Sequence, residues 1–142
     1  MSQENEAVVR RAFDEIAQGK LEVADEIIAP EFVRHDLGAD FPDVKGPEGV
    51  KRLIAALRTA FPDIETTFED LISGGDRVVV RFTARATHKG PFQGVAPTGR
   101  RVEWAGVNIY RVEDGKIRET WQLADTLGLM RQIGAVPAAK GG

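Results

Sequence analysis

The sequence predicts an α+β fold, with helices first and an antiparallel sheet afterwards. Three observations carry that prediction. Apolar residues recur every three or four positions from Val8 to Phe61, they alternate with polar ones through most of 64–124, and two turn signals, Gly74-Gly75-Asp76 and Asp114-Gly115, break the alternating half. Val8, Val9, Ala12, Phe13 and Ile16, with Arg10, Arg11, Asp14 and Glu15 between them, make an amphipathic helix that stops at Gly19. Leu21, Ala24, Ile27 and Ile28 repeat the period in a shorter helix closed by Pro30. Residues 31–36 read as a short strand around Phe32 and Val33, and 37–45, with Gly38, Pro42 and several acids, as a loop. Gly46-Pro47 puts proline in a first helical turn, and Val50, Leu53, Ile54, Leu57 and Phe61 continue that third helix up to Pro62. Residues 64–73 and 77–88 are strands, followed by a loop rich in Gly and Pro over 89–100. Strands 101–112 and 116–124 pair around Asp114-Gly115, a dipeptide that suits the positive φ angles of a type I′ turn. Counting back from this turn sets Glu113 opposite Lys116, and then Asn108 opposite Trp121 and Trp104 opposite Asp125, so that these last four share one face. Residues 126–130 look helical. The expected layout is one domain over 1–136 and a flexible tail over 137–142.

A chain of 142 residues suits a single core. Hydrophobic residues at 42% and charged residues at 29% exclude a disordered chain, and a net charge of -3 offers no footprint for a phosphate backbone. The absence of cysteine removes disulfides, thiolate metal sites and a cysteine nucleophile, and it suits a reducing cytoplasm. No apolar run reaches the roughly 20 residues of a membrane helix, and the acidic start at residues 1–6 is unlike a signal peptide. A soluble, cytoplasmic protein with neither nucleic acid nor membrane as partner is expected. His35 and His88 lack the spacing of a metal pair, Gly74-Gly75 lacks the lysine of a phosphate loop, and no serine occupies a nucleophile elbow. General acid–base chemistry is the class that remains.

Asp125 ends the strand Trp121-Gln122-Leu123-Ala124-Asp125 on the face of Trp121. It reads equally as a carboxylate that burial would tune towards neutrality and as the N-cap of the helix that follows. His35 suits a proton shuttle or a group orienting a substrate oxygen, with a hydrogen-bonded strand-end histidine as the plain alternative. His88 closes a long strand and reads as a turn residue or a pocket residue. Asn108 is the one carboxamide on a face made of Trp104, Gly106, Tyr110 and Val112, and a buried amide is either paired or awaits a ligand oxygen. Gly106 leaves space for that ligand. Trp104, Trp121 and Phe13 complete the expected substrate-binding set, with core packing as their alternative. Arg81, Thr83, Arg85 and Thr87 form the polar row of a half-buried strand, solvated or at an oligomer contact.

Five stretches in order resemble the SnoaL-like polyketide cyclases, also called ester cyclases: Glu31-Phe32-Val33-Arg34-His35-Asp36; Gly46-Pro47-Glu48-Gly49-Val50; Phe61-Pro62-Asp63; Thr87-His88-Lys89-Gly90-Pro91-Phe92 with Pro97-Thr98-Gly99; and Trp121-Gln122-Leu123-Ala124-Asp125 with Leu127-Gly128-Leu129. The resemblance runs from about Asn5 to Val136. It implies the cone-shaped α+β barrel of the nuclear transport factor two superfamily, with N-terminal helices packed on a curved, mostly antiparallel sheet and a pocket between them. It further implies a cofactor-free intramolecular aldol closure of a polyketide ester. The family's acid/base aspartate falls on Asp125, and His35 and His88 match polar positions near the pocket. The expected protein is therefore a homodimeric cyclase taking a small hydrophobic carbonyl or polyketide-like ligand. The alternatives are a non-catalytic pocket protein for an apolar molecule and an epoxide-opening hydrolase, which needs two carboxylates bracketing an arginine.

Overall fold

A computed structural model describes residues 2–37 and 43–136. Helix α1 (Ser2–Arg11) runs into a π-helical segment, Ala12–Ile16, and a 3₁₀ turn, Leu21–Val23, leads into α2 (Ala24–Ile27). Then come β1 (Ile28–Asp36), β2 (Val44–Lys45), α3 (Gly46–Ala60), β3 (Glu65–Gly74), β4 (Arg77–Thr87), β5 (Arg101–Glu113), β6 (Lys116–Ala124) and α4 (Thr126–Gln132). The strands form one sheet in the order β2-β1-β6-β5-β4-β3. Every pairing is antiparallel except that of β1 with β6. This is the expected α+β architecture, with the helices on the concave face of the sheet.

The apolar patterning explains the layers. Along β4, Val78, Val80, Phe82, Ala84 and Ala86 are buried while Arg77, Arg81 and their neighbours face out. Full burial of each larger side chain is worth about 1.5–3 kcal/mol. On the outer face, Arg81 pairs with Asp70 at 2.6 Å and Thr83 donates to Glu69 at 2.9 Å, so the polar row is satisfied within the sheet. Helix α3 begins where Gly46, at φ +66°, turns the chain out of β2, and Pro47 sits in the first turn. Among the described residues no helix is long and apolar enough to cross a membrane.

Two boundaries differ from the sequence expectation. The second helix ends at Ile27, so Ile28 and Pro30 belong to β1. Proline is tolerated there because the β1–β6 register breaks between Ile28 and Val33, where the ladder needs no donor from residue 30. Val44–Lys45, expected in a loop, pair with β1 as β2. The rest of that loop, 38–42, and the tail 137–142 lie outside the described residues.

The turn at Asp114 and Gly115 is as expected, with φ of +53° and +73°, and Glu113 does oppose Lys116. The register deduced beyond it is not. Val112 faces Ile117 but Arg111 faces Glu119, so Arg118 is an extra residue in β6. One bulged residue turns every later side chain to the other side. Asn108 therefore opposes Gln122, Ile109 opposes Trp121, and the Asp125 N–H reaches Ala105 O at 2.9 Å instead of lying across from Trp104. Asn108 and Trp104 point into the concavity, whereas Trp121 and Asp125 do not share their face.

Candidate functional site

Between the concave sheet face, the π-helical segment and α3 lies a cavity of about 410 Å³. Most of its wall is apolar, including Ile16, Ile54, Leu57, Phe82 and Trp104. Phe13, set inward by the π-turn, closes one side, its ring meeting Phe68 edge-on at 4.6 Å. Phe13 also lines an open cleft on its other side, together with Arg10 and Asp14, and so separates the two spaces.

The charged and most deeply buried polar groups come from one patch of the sheet, with Gln18, Thr66, Gln93 and Thr126 elsewhere on the wall. Strand pairing aligns Arg34, Thr120 and Tyr110 in one row across β1, β6 and β5, and Asp36, Gln122 and Asn108 in the next. All six line the cavity. Asn108, 5% exposed, donates from Nδ2 to the Tyr110 hydroxyl at 2.8 Å, and its Oδ1 is buried with no protein partner. Such an orphan acceptor costs about 1–3 kcal/mol unless something meets it. Burial pushes the Tyr110 phenol up to about 12, against the pull of the Asn108 hydrogen bond and the Arg34 charge. Tyr110 is thus a neutral phenol near pH 7 and has its own hydrogen to give. Arg34 donates to Asp36 at 3.1 Å, while its Nε is buried with no partner among the described residues. The wall presents a donor, an acceptor, a cation and a carboxylate inside a largely apolar chamber. That set suits a ligand with adjacent carbonyl and enol oxygens.

Of the expected site residues, the structure brings Phe13, Trp104 and Asn108 together in the lining. His35 is absent from it. Strand alternation that sends Arg34 and Asp36 inward sends His35 outward, where Nε2 meets Glu119 at 2.7 Å and the ring stacks on Trp121 at 5.8 Å. The His35 hydrogen bond, helped by Arg111, holds the Glu119 carboxyl below its usual range. Trp121 lies on the same outer face, beneath the Arg77 guanidinium at 5.2 Å. His88 is fully buried away from the cavity. Its Nδ1 accepts from the Thr98 N–H at 3.3 Å and lies 3.0 Å from Thr98 Oγ1, tying down the loop that follows. Asp125 is exposed and caps α4, its Oδ1 accepting from the Gly128 N–H at 2.9 Å. A Cβ at residue 128 would come within 2.2 Å of Asp125 Oδ2, so a side chain there would push the capping carboxylate aside. The neighbours Ala124 and Thr126 line the cavity, whereas Asp125 itself does not. Gly106 leaves no room for a ligand, since the Phe82 ring fills the place of its Cβ, with Cζ at 2.6 Å.

Arg34, Asp36, Tyr110, Thr120 and Gln122 were not singled out from the sequence. The available signal was parity: Arg34 and Asp36 flank His35 at positions where alternation forces the opposite face, and Tyr110 lies two residues from Asn108.

The SnoaL-like polyketide cyclase family model matches residues 7–133. The chain is 30% identical over 129 residues to the aklanonic acid methyl ester cyclase DauD of Streptomyces sp. (strain C5), covering 89% of this chain and 80% of that one. It is 28% identical over 118 residues to the nogalonic acid methyl ester cyclase of Streptomyces nogalater, covering 82% and 87%. Its fold superimposes with a TM-score of 0.87 on a SnoaL-like protein from Jannaschia sp. CCS1, 31% identical and covering 96% of both chains.

Proposed function

The chain belongs to the SnoaL-like polyketide cyclases, and from that membership we propose that it closes a ring in a small, largely apolar polyketide-type ester by an intramolecular aldol reaction that needs no cofactor. The observation that carries this is the buried, unpartnered Asn108 Oδ1 beside the Tyr110 hydroxyl, within an apolar cavity of about 410 Å³. The apolar wall would hold a hydrocarbon skeleton, and the polar patch would fix carbonyl and enol oxygens during proton transfer. The α-hydrogen of a β-keto ester is acidic, so a carboxylate and held geometry supply most of what the reaction needs. The family's acid/base position falls on Asp125, and we propose it as a proton carrier beside the cavity. A homodimer joined through the outer sheet face and residence in the cytoplasm belong to the same proposal. Among the described residues Asp36 is the one carboxylate in the lining, and with Arg34 it falls short of the pair that epoxide opening requires.

The test is turnover of aklanonic-type and nogalonic-type methyl esters, followed by chromatography and absorbance because ring closure leaves the mass unchanged. Asp125→Ser keeps a capping oxygen without a carboxylate, and it is expected to lower kcat about 100-fold or more with binding retained. Saturable binding of the esters with no turnover by the wild type would establish a passive pocket instead.

A further inference from the structure

The cavity contains a carboxylate to which neither the resemblance nor the family relatives assign a role. Asp36 and Arg34 lie two residues apart on β1, both facing the chamber, with side chains only 13% and 19% exposed. Their ion pair at 3.1 Å uses one Asp36 oxygen and one Arg34 terminal nitrogen, while Arg34 Nε is buried without a partner among the described residues. Cross-strand register then sets Gln122 beside Asp36 and Asn108 beside Gln122, and Asn108 Oδ1 is likewise buried and unpartnered. A buried ion pair is expensive to maintain, and one that ends beside orphaned polar atoms is poorly explained as a stabilising device. Oriented, unsatisfied polar groups around a carboxylate are instead what a proton-transfer site requires before its ligand arrives.

We propose that Asp36, held in place by Arg34, is the carboxylate that removes the α-proton in the cyclisation. This deepens the cyclase reading and rests on it. The Asp36 carboxylate takes the hydrogen from the carbon between two carbonyls, and the C–H electron pair moves into the enolate. The enolate carbon then attacks the ketone carbon, forming the new C–C bond. The ketone π pair passes to its oxygen, which takes a proton supplied from solvent through Asp125, and the proton on Asp36 returns to solvent. No electron or atom is left over, and no other reactant is consumed. Enolisation is thereby assigned to the chamber's interior and separated from the Asp125 carboxylate. Arg34 is the positioning residue, holding the carboxylate in one rotamer and placing positive charge near the enolate oxygen.

The experiment separates enolisation from ring closure. A β-keto ester with no second carbonyl within reach is incubated in heavy water, and loss of its α-proton signal is followed by NMR above the buffer rate. Turnover of the cyclisable esters is measured in parallel. Asp36→Asn is expected to lower the enzyme-dependent exchange at least about 100-fold, whereas Asp70→Asn, which removes a carboxylate paired with Arg81 on the outer sheet face, leaves exchange within a few-fold of wild type. Exchange by Asp36→Asn equal to that of wild type would overturn the assignment while leaving the cyclase reading intact. A wild type that neither exchanges nor cyclises overturns both. Should Asn cost the fold, Asp36→Glu keeps the ion pair. Slower exchange at an unchanged melting temperature then supports the assignment, and unchanged exchange overturns it.

Discussion

Asp63 takes hydrogen bonds from both the Thr87 N–H and the Thr87 hydroxyl, each at 2.7 Å, and pairs with Arg101 at 3.0 Å. Those Thr87 bonds, the side-chain one foremost, hold its carboxyl below the ordinary 3.8. The Glu119 carboxyl is likewise held below 4.5 by His35. A carboxylate with a depressed folded value adds stability that is complete above the unfolded value and is lost as pH falls through the folded one. The melting temperature should therefore hold steady down to about pH 5 and fall below about pH 4.5, the unfolded carboxylate range. In Asp63→Asn the fall between pH 4.5 and 2.5 should be shallower than in wild type, read by thermal scans at each pH. Identical slopes would show that Asp63 gains nothing from being ionised. Asn108 was legible at this scale because a carboxamide among aromatic neighbours demands an explanation in the sequence itself. Asp36 was not, because a carboxylate next to a histidine in a short strand looks like an ordinary polar end.

The π-turn, the bulge and the loop after β4 are element-scale devices that decide which side chains reach the cavity. Lys89 and Gly90 both donate to Ala60 O, at 2.9 and 3.1 Å, satisfying the last turn of α3 and laying the loop against it. A Cβ on Gly90 would stand 2.1 Å from Thr59 O, and backbone cannot step aside as a flexible side chain can. Gly90→Ala should cost about 1–3 kcal/mol in denaturant unfolding, as overpacking does. It should also loosen Phe92 and Gln93 where they line the cavity. The matched control is Gly74→Ala, which meets nothing within 4 Å and should stay within about 0.5 kcal/mol. Equal effects at the two glycines would remove the backbone collision as the reason. The Arg118 bulge has no comparable signature, since nothing about Arg-Glu-Thr marks one residue as unpaired.

At the scale of the molecule, the convex sheet face carries an apolar row that register aligns across four strands: Ile72, Val79, Ile109 and Trp121. Ile72 is 63% exposed and Ile109 37%, with Leu123 at 53% beside them. A continuous apolar stripe of this kind is costly in water, and a two-fold axis through it would bury the same stripe on both copies. Ile109→Glu is expected to give a monomer in sedimentation or light scattering while leaving ester turnover intact, because the cavity opens on the opposite face. A wild type that sediments as a monomer at micromolar concentration would remove the proposed dimer.

Periodicity, turn chemistry and composition were enough to establish from the sequence most of the helices and strands, the Asp114-Gly115 turn and the α+β class, and the resemblance of five stretches supplied the cyclase family. The former are local or additive properties, set within a few residues or summed over the chain. The facing of β6, the inward pair Arg34 and Asp36, and the exposed, helix-capping position of Asp125 were decided only by tertiary structure. Each depends on how two distant strands meet, and a single unpaired residue in that meeting, Arg118, exchanges the inside of the sheet for the outside.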